Sequence, residues 1–98
     1  MTDREQEVIN NVLSVLKKRL NPDKIILFGS RAKGISAPGA DIDLALEGDR
    51  PGISVLQKLN EEIDQVSGLY SVDLVFLNDV DVSFKEIIMN TGKVIYER

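Results

Sequence analysis

The chain has 98 residues, 43% apolar and 29% charged, with a net charge of −4. That length supports one compact core, so a single domain over residues 1–98 is expected, and the composition excludes wholesale disorder. Cys and His are both absent, which excludes disulfides, thiolate metal sites and any nucleophilic scheme with a histidine base. Chemistry is left to carboxylates, Lys, Arg, Ser, Tyr, backbone amides or a hard cation held by oxygens.

The charge is unevenly spread. Residues 1–40 carry seven basic and four acidic side chains, and residues 41–98 carry five basic and twelve acidic. An overall acidic chain argues against broad phosphate-backbone binding, so no direct nucleic-acid contact is expected. No apolar run is long enough for a membrane helix, and the opening residues lack the pattern of a secretory leader. A cytoplasmic location is the default expectation.

Taken in chain order, Thr2 and Glu5 have the spacing of a capping box and open a helix. Val8, Ile9, Val12, Leu13, Val15, Leu16 and Leu20 give it one apolar face. Lys17, Lys18 and Arg19 suit its C-terminal dipole, and Asn21-Pro22 stops it. Residues 24–28 form a short β-branched and aromatic run, expected to be a strand buried on both faces. Ser30 is placed to cap a short helix over residues 30–34, and residues 35–40 read as loop.

Residues 41–46 alternate strictly. Ile42, Leu44 and Leu46 face one way, and Asp41, Asp43 and Ala45 face the other. After a turn over residues 47–52, Ser54 and Gln57 have capping-box spacing. They open a second long helix with Val55, Leu56, Leu59, Ile63 and Val66 on its apolar face, ended by Gly68. Residues 69–77 are expected to be a third strand. Ser83 and Glu86 would cap a shorter helix carrying Phe84, Ile87 and Ile88, with Gly92 as its C-cap and a last strand over residues 93–96. Helix and strand alternate, which favours an α/β sheet with helices packed against it.

Three acidic residues and one turn carry the chemistry. Asp41 and Asp43, two apart in a strand, lie side by side, and like charges there need a positive neighbour. Mg²⁺ is the natural counter-ion; the alternative is a solvated strand face. Asp73 interrupts an apolar strand and calls for a metal, an ion-pair partner or an exposed strand end. If its strand adjoins the second, the three carboxylates converge. The stretch Gly29-Ser30-Arg31-Ala32-Lys33-Gly34 follows a strand and opens a helix. Its amides, the Ser30 hydroxyl and the cations of Arg31 and Lys33 would suit a phosphate; the alternative is an ordinary turn.

These motifs together, Gly29-Ser30-Arg31-Ala32-Lys33-Gly34 followed by Asp41-Ile42-Asp43-Leu44 and then Asp73, resemble the signature of the DNA polymerase β-like nucleotidyltransferases. The length resembles that of the minimal members, which are little more than the catalytic core. The likeness spans roughly residues 5–97. It implies an α/β (α+β) fold with a small mixed sheet, like the polymerase β palm. It further implies that Asp41 and Asp43 bind Mg²⁺, two ions in all, and that Asp73 completes the site and activates the incoming hydroxyl. Gly29, Ser30, Arg31 and Lys33 would hold the nucleotide, ATP or another nucleoside triphosphate. Lys33 stands where many relatives have a second Arg, which keeps the charge, and Ala40 where many have Ser.

The implied reaction moves a nucleoside monophosphate to a hydroxyl and releases pyrophosphate. By the same resemblance the partner would be a small helical HEPN-domain toxin, with this chain as the antitoxin that adds AMP to a toxin Tyr. Two other readings follow: a module that neutralises its partner by contact alone, or the catalytic subunit of a small-molecule-modifying enzyme. Apolar residues in both terminal elements, including Phe84, Ile87, Ile88, Met89, Val94 and Ile95, point to a hetero-complex or failing that a homo-oligomer.

Overall fold

The computed structural model describes residues 3–29 and 41–98. Within them the order is α1 (Asp3–Leu20), β1 (Lys24–Phe28), β2 (Ile42–Glu47), α2 (Ile53–Ser67), β3 (Val72–Phe76), α3 (Val82–Thr91) and β4 (Lys93–Glu97). The helix expected over residues 30–34 and the loop over 35–40 lie outside the described residues, as does Thr2 of the first capping box. The strands form one mixed sheet in the order β3-β2-β1-β4. β1 is antiparallel to both its neighbours, whereas β2 and β3 run parallel, with α2 as the crossover between them.

One face of the sheet carries most of the core. Ile25 and Leu27 of β1 and Ile42, Leu44 and Leu46 of β2 pack there against Val8, Ile9, Val12, Val15 and Leu16 of α1 and Leu59 and Ile63 of α2. The apolar stripes of both helices are therefore spent on this face. Asn21 terminates α1 with a left-handed φ of 48°, a conformation Asn tolerates better than most residues. The second face holds a smaller cluster of Ile26, Ala45, Leu77 and Ile88, covered by α3. Ile26 and Leu27 are thus both buried, so β1 is enclosed on its two faces as a central strand should be.

Two helix starts differ from the sequence expectation. Gly52, not Ser54, is the N-cap of α2, and it makes no side-chain cap bond. The helix begins one turn-fraction earlier, and Ser54 sits inside it. In α3 the cap is Asp81 rather than Ser83, its carboxylate accepting from the Phe84 N–H at 2.8 Å. The chain offers Asp81 two residues ahead of Ser83, and an Asp there satisfies an orphan amide of the earlier start with a charge that also suits the dipole. Val55, expected on the buried face of α2, is 41% exposed. The third strand is shorter than expected, and Leu69 stands fully exposed in the turn after Gly68. Gly92 closes α3 because of crowding rather than φ: a Cβ there would lie 2.6 Å from the Ile88 carbonyl oxygen and against the Ile26 side chain.

Charges tie the two long helices together at their exposed rim. Arg19 of α1 hydrogen-bonds the Glu62 carboxylate of α2, and Lys18 Nζ lies 3.7 Å from the same carboxylate. The Arg19 hydrogen bond holds the Glu62 carboxyl below its ordinary value, with lesser help from the charges of Arg19 and Lys18. A lowered carboxyl pKa contributes stability above the ordinary carboxylate range and loses it as pH falls through the folded-state value. Glu62→Gln should therefore melt slightly below the parent near neutral pH, and the two curves should converge in acid and in high salt, as thermal unfolding followed by circular dichroism would show. Asp81→Ala should cost about 1 kcal/mol in denaturant unfolding at neutral pH, because it removes the side-chain cap of α3.

Candidate active site

The site grows from the way β1 and β2 end. Phe28, the last residue of β1, is the register partner of Asp43. Gly29 follows at once with φ 76°, a turn open to glycine at little cost. A Cβ at Gly29 would collide with the Asp43 carboxylate. The backbone leaving β1 thus runs close to that carboxylate; the left-handed φ calls for glycine, and a Cβ would make the Asp43 side chain move aside. This is a geometric reason for Gly29 that the sequence pattern alone did not supply.

β3 brings the second carboxylate. In the parallel register Asp43 lies opposite Asp73, flanked by Ile42 opposite Val72 and Leu44 opposite Leu74. Parallel neighbours lie about 4.8 Å apart, and opposed residues project from the same face. Both carboxylates therefore leave the sheet on the face that α3 covers only in part. Two residues further along β2, Ala45 on that face is fully buried beneath α3 with Ile88, while Asp43 is half-buried and Asp73 exposed. Among the described residues, the acidic pair lies on the α3 side of the sheet, two residues along the strands from the positions that helix buries.

Asp41 is exposed and sits immediately before β2, where the Ile42 N–H donates to the Ser71 carbonyl at 2.8 Å. Among the described residues no group of three or more His, Cys, Asp or Glu side chains is close enough to hold a metal ion. The carboxylates that strand register aligns are two, Asp43 and Asp73. Two carboxylates completed by phosphate oxygens and water are the usual donor set of Mg²⁺, so the residues fit that ion. Ser30, Arg31 and Lys33, the expected phosphate contacts, lie outside the described residues.

Two features of the surroundings were not singled out in the sequence for this site. Phe28 and Phe84 meet edge-on, with ring centroids 6.0 Å apart and an interplanar angle of 79°. They join the start of α3 to the end of β1, and Phe28 is the register partner of Asp43. An open groove of about 500 Å³ also runs along β3, lined by Asp73 and by Arg50, Leu56, Asn60 and Asp79. No local motif encodes either feature, since each joins elements distant in sequence.

Comparison with known proteins bears on the family and the fold. No curated protein matches the sequence significantly. Among solved structures, a toxin–antitoxin complex with AMP-PNP superposes with a TM-score of 0.77 at 23% identity, over 91% of this chain and 73% of that one. The complex of a tri-AMPylated HEPN toxin with its MNT antitoxin from Shewanella oneidensis gives 0.71 at 21% identity, over 97% and 73%. A minimal nucleotidyltransferase structure gives 0.70 at 20% identity, over 97% of this chain and 96% of that one. These likenesses show a shared fold. The family model for polymerase β-type nucleotidyltransferases matches residues 10–98, nearly the whole sequence, and the chain belongs to that family.

Proposed function

We propose that this protein transfers a nucleoside monophosphate, AMP from ATP, to a hydroxyl on a partner protein. The partner we infer is a HEPN-domain toxin and the acceptor a Tyr, which makes this chain the antitoxin. The observation that carries the reading is the register of β2 and β3, which sets Asp73 opposite Asp43 beside Gly29. The solved complexes lend it support, one holding AMP-PNP and another an AMPylated HEPN toxin.

In this reading the Gly29 turn admits the triphosphate close to the backbone, and Ser30, Arg31 and Lys33 contact its phosphates. Asp41, Asp43 and Asp73 would hold Mg²⁺, which when bound offsets the charge of the phosphates. Asp73 accepts the proton of the incoming hydroxyl. The hydroxyl oxygen then forms a bond to the α-phosphorus as the bond to the bridging oxygen breaks, and pyrophosphate leaves. Asp73 suits the base role because the chain has no His and because this carboxylate is the exposed one of the aligned pair.

Partner contact has its own candidate surface. Val82, Ile87 and Met89 of α3 are 71%, 58% and 42% exposed, apolar side chains on one helix that a partner could cover.

Calorimetry with ATP should show binding that strengthens with Mg²⁺ and largely disappears in Asp43→Asn. Undiminished Mg²⁺-dependent binding by that variant would overturn the site. Gly29→Val should abolish nucleotide binding as well, because the new side chain meets the Asp43 carboxylate and the φ is unfavourable. Retention of the far-ultraviolet circular dichroism spectrum would separate that loss from unfolding.

A further inference from the structure

We propose that the outer edge of β3 is the docking site for the acceptor: an extended peptide segment adds to the sheet beside β3 and thereby lays a hydroxyl side chain next to Asp73. The inference rests on the nucleotidyltransferase reading above and adds to it the form in which the acceptor arrives.

The backbone fixes which groups are available. The Ile42 N–H donates to the Ser71 carbonyl, and the Leu77 N–H donates to the Leu46 carbonyl. Odd-numbered residues of β3 therefore turn their peptide groups towards β2, and Val72, Leu74 and Phe76 turn theirs outward. Of these outward groups, the Phe76 carbonyl accepts from the Asp79 N–H at 2.9 Å in the following turn. Among the described residues no strand lies beyond β3. Alternating donors and acceptors at a two-residue spacing are complementary to another extended chain.

The two edges of the sheet differ. β4 begins with Lys93 and ends with Glu97, and its register with β1 is broken between Ile25 and Ile26. Charges and an irregular register are the usual defences of an edge against pairing. β3 reads Val-Asp-Leu-Val-Phe, without Lys or Pro, and pairs with β2 without a break. Its only charge is Asp73.

The groove along this edge gives the strand a bed. Leu56 and Asn60 of α2 form one wall and Val72–Phe76 the other, with Arg50 and Asp79 joined across 3.4 Å at one end. Its volume of about 500 Å³ lies within the range of ligand-binding clefts. Since Arg50 is paired with Asp79, the charge left over in the groove is the Asp73 carboxylate, which favours a neutral or basic segment. A residue opposite Asp73 on an added strand projects from the same sheet face as Asp73 and Asp43. A Tyr, Ser or Thr there is delivered to the carboxylate that takes its proton.

Nuclear magnetic resonance on the ¹⁵N-labelled full chain tests this, with the peptide acetyl-Lys-Val-Tyr-Val-Lys-amide as probe at millimolar concentration, without nucleotide. Amide exchange at Val72, Leu74 and Phe76 should slow by about tenfold or more. The effect should vanish with a backbone N-methylated version of the peptide and in Asn60→Trp, which fills the groove from the exposed side of α2. No slowing at those amides, or equal slowing by the N-methylated peptide, overturns the proposal. Protection of the same amides in the free chain, together with a dimer mass in light scattering, would assign the edge to a second copy and also overturn it. Calorimetry with Mg²⁺ and ATP on the same sample keeps the two readings apart: intact nucleotide binding with a silent edge rejects only the docking mode, and absent nucleotide binding rejects the nucleotidyltransferase reading.

Discussion

The parallel pairing of β2 with β3 is the constraint on which the site depends. It sets Asp43 opposite Asp73, residues thirty positions apart in the chain. A shift of one residue would turn Asp73 to the packed face and Leu74 to the open one. The register is held by what lies on that packed face, where Leu44, Leu46 and Phe76 join the cluster under the two long helices. Burial of apolar side chains on one face thus fixes carboxylates on the other. An acidic pair in neighbouring strands is unfavourable by itself, and the register is sustained by the core.

The second constraint is the partial cover given by α3. The helix buries Ile88 against Ile26 and Ala45, while Asp43, on the same face, stays half-buried. Its start is pinned by the Asp81 cap and by the contact of Phe84 with Phe28. Its end is pinned where Gly92 passes close to Ile26, with the Gly92 N–H donating to the Ile88 carbonyl at 2.8 Å. The same helix leaves Val82, Ile87 and Met89 exposed, so it serves the core on one side and presents apolar surface on the other.

The acidic balance of residues 41–98 acquires a partial location in the fold. Asp43 and Asp73 lie opposite each other on β2 and β3, while Glu62 is neutralised by Arg19 and Lys18 at the rim of the helices. Asp23 and Arg98 pair at 2.9 Å where β1 begins and β4 ends. Much of the exposed charge is thus organised as local pairs.

Periodicity in the sequence determined the elements themselves. The helical stripe of α1, the bounds of β1, the alternation along β2 and the stops at Gly68 and Gly92 are all local patterns, and each appears where the pattern places it. Asp43 and Asp73 stood out because an acidic residue is costly in an apolar strand, which is also a local signal. The starts of α2 and α3 differ from the local capping pattern because several capping residues compete within a few positions, and tertiary packing chooses among them. What only the tertiary structure decided is adjacency: that β2 and β3 are parallel neighbours in this register, that Gly29 abuts the Asp43 carboxylate, and that Phe84 reaches Phe28. Strand order and register follow from how three helices share the two faces of one sheet, a sum over contacts between distant residues that no short window of sequence contains.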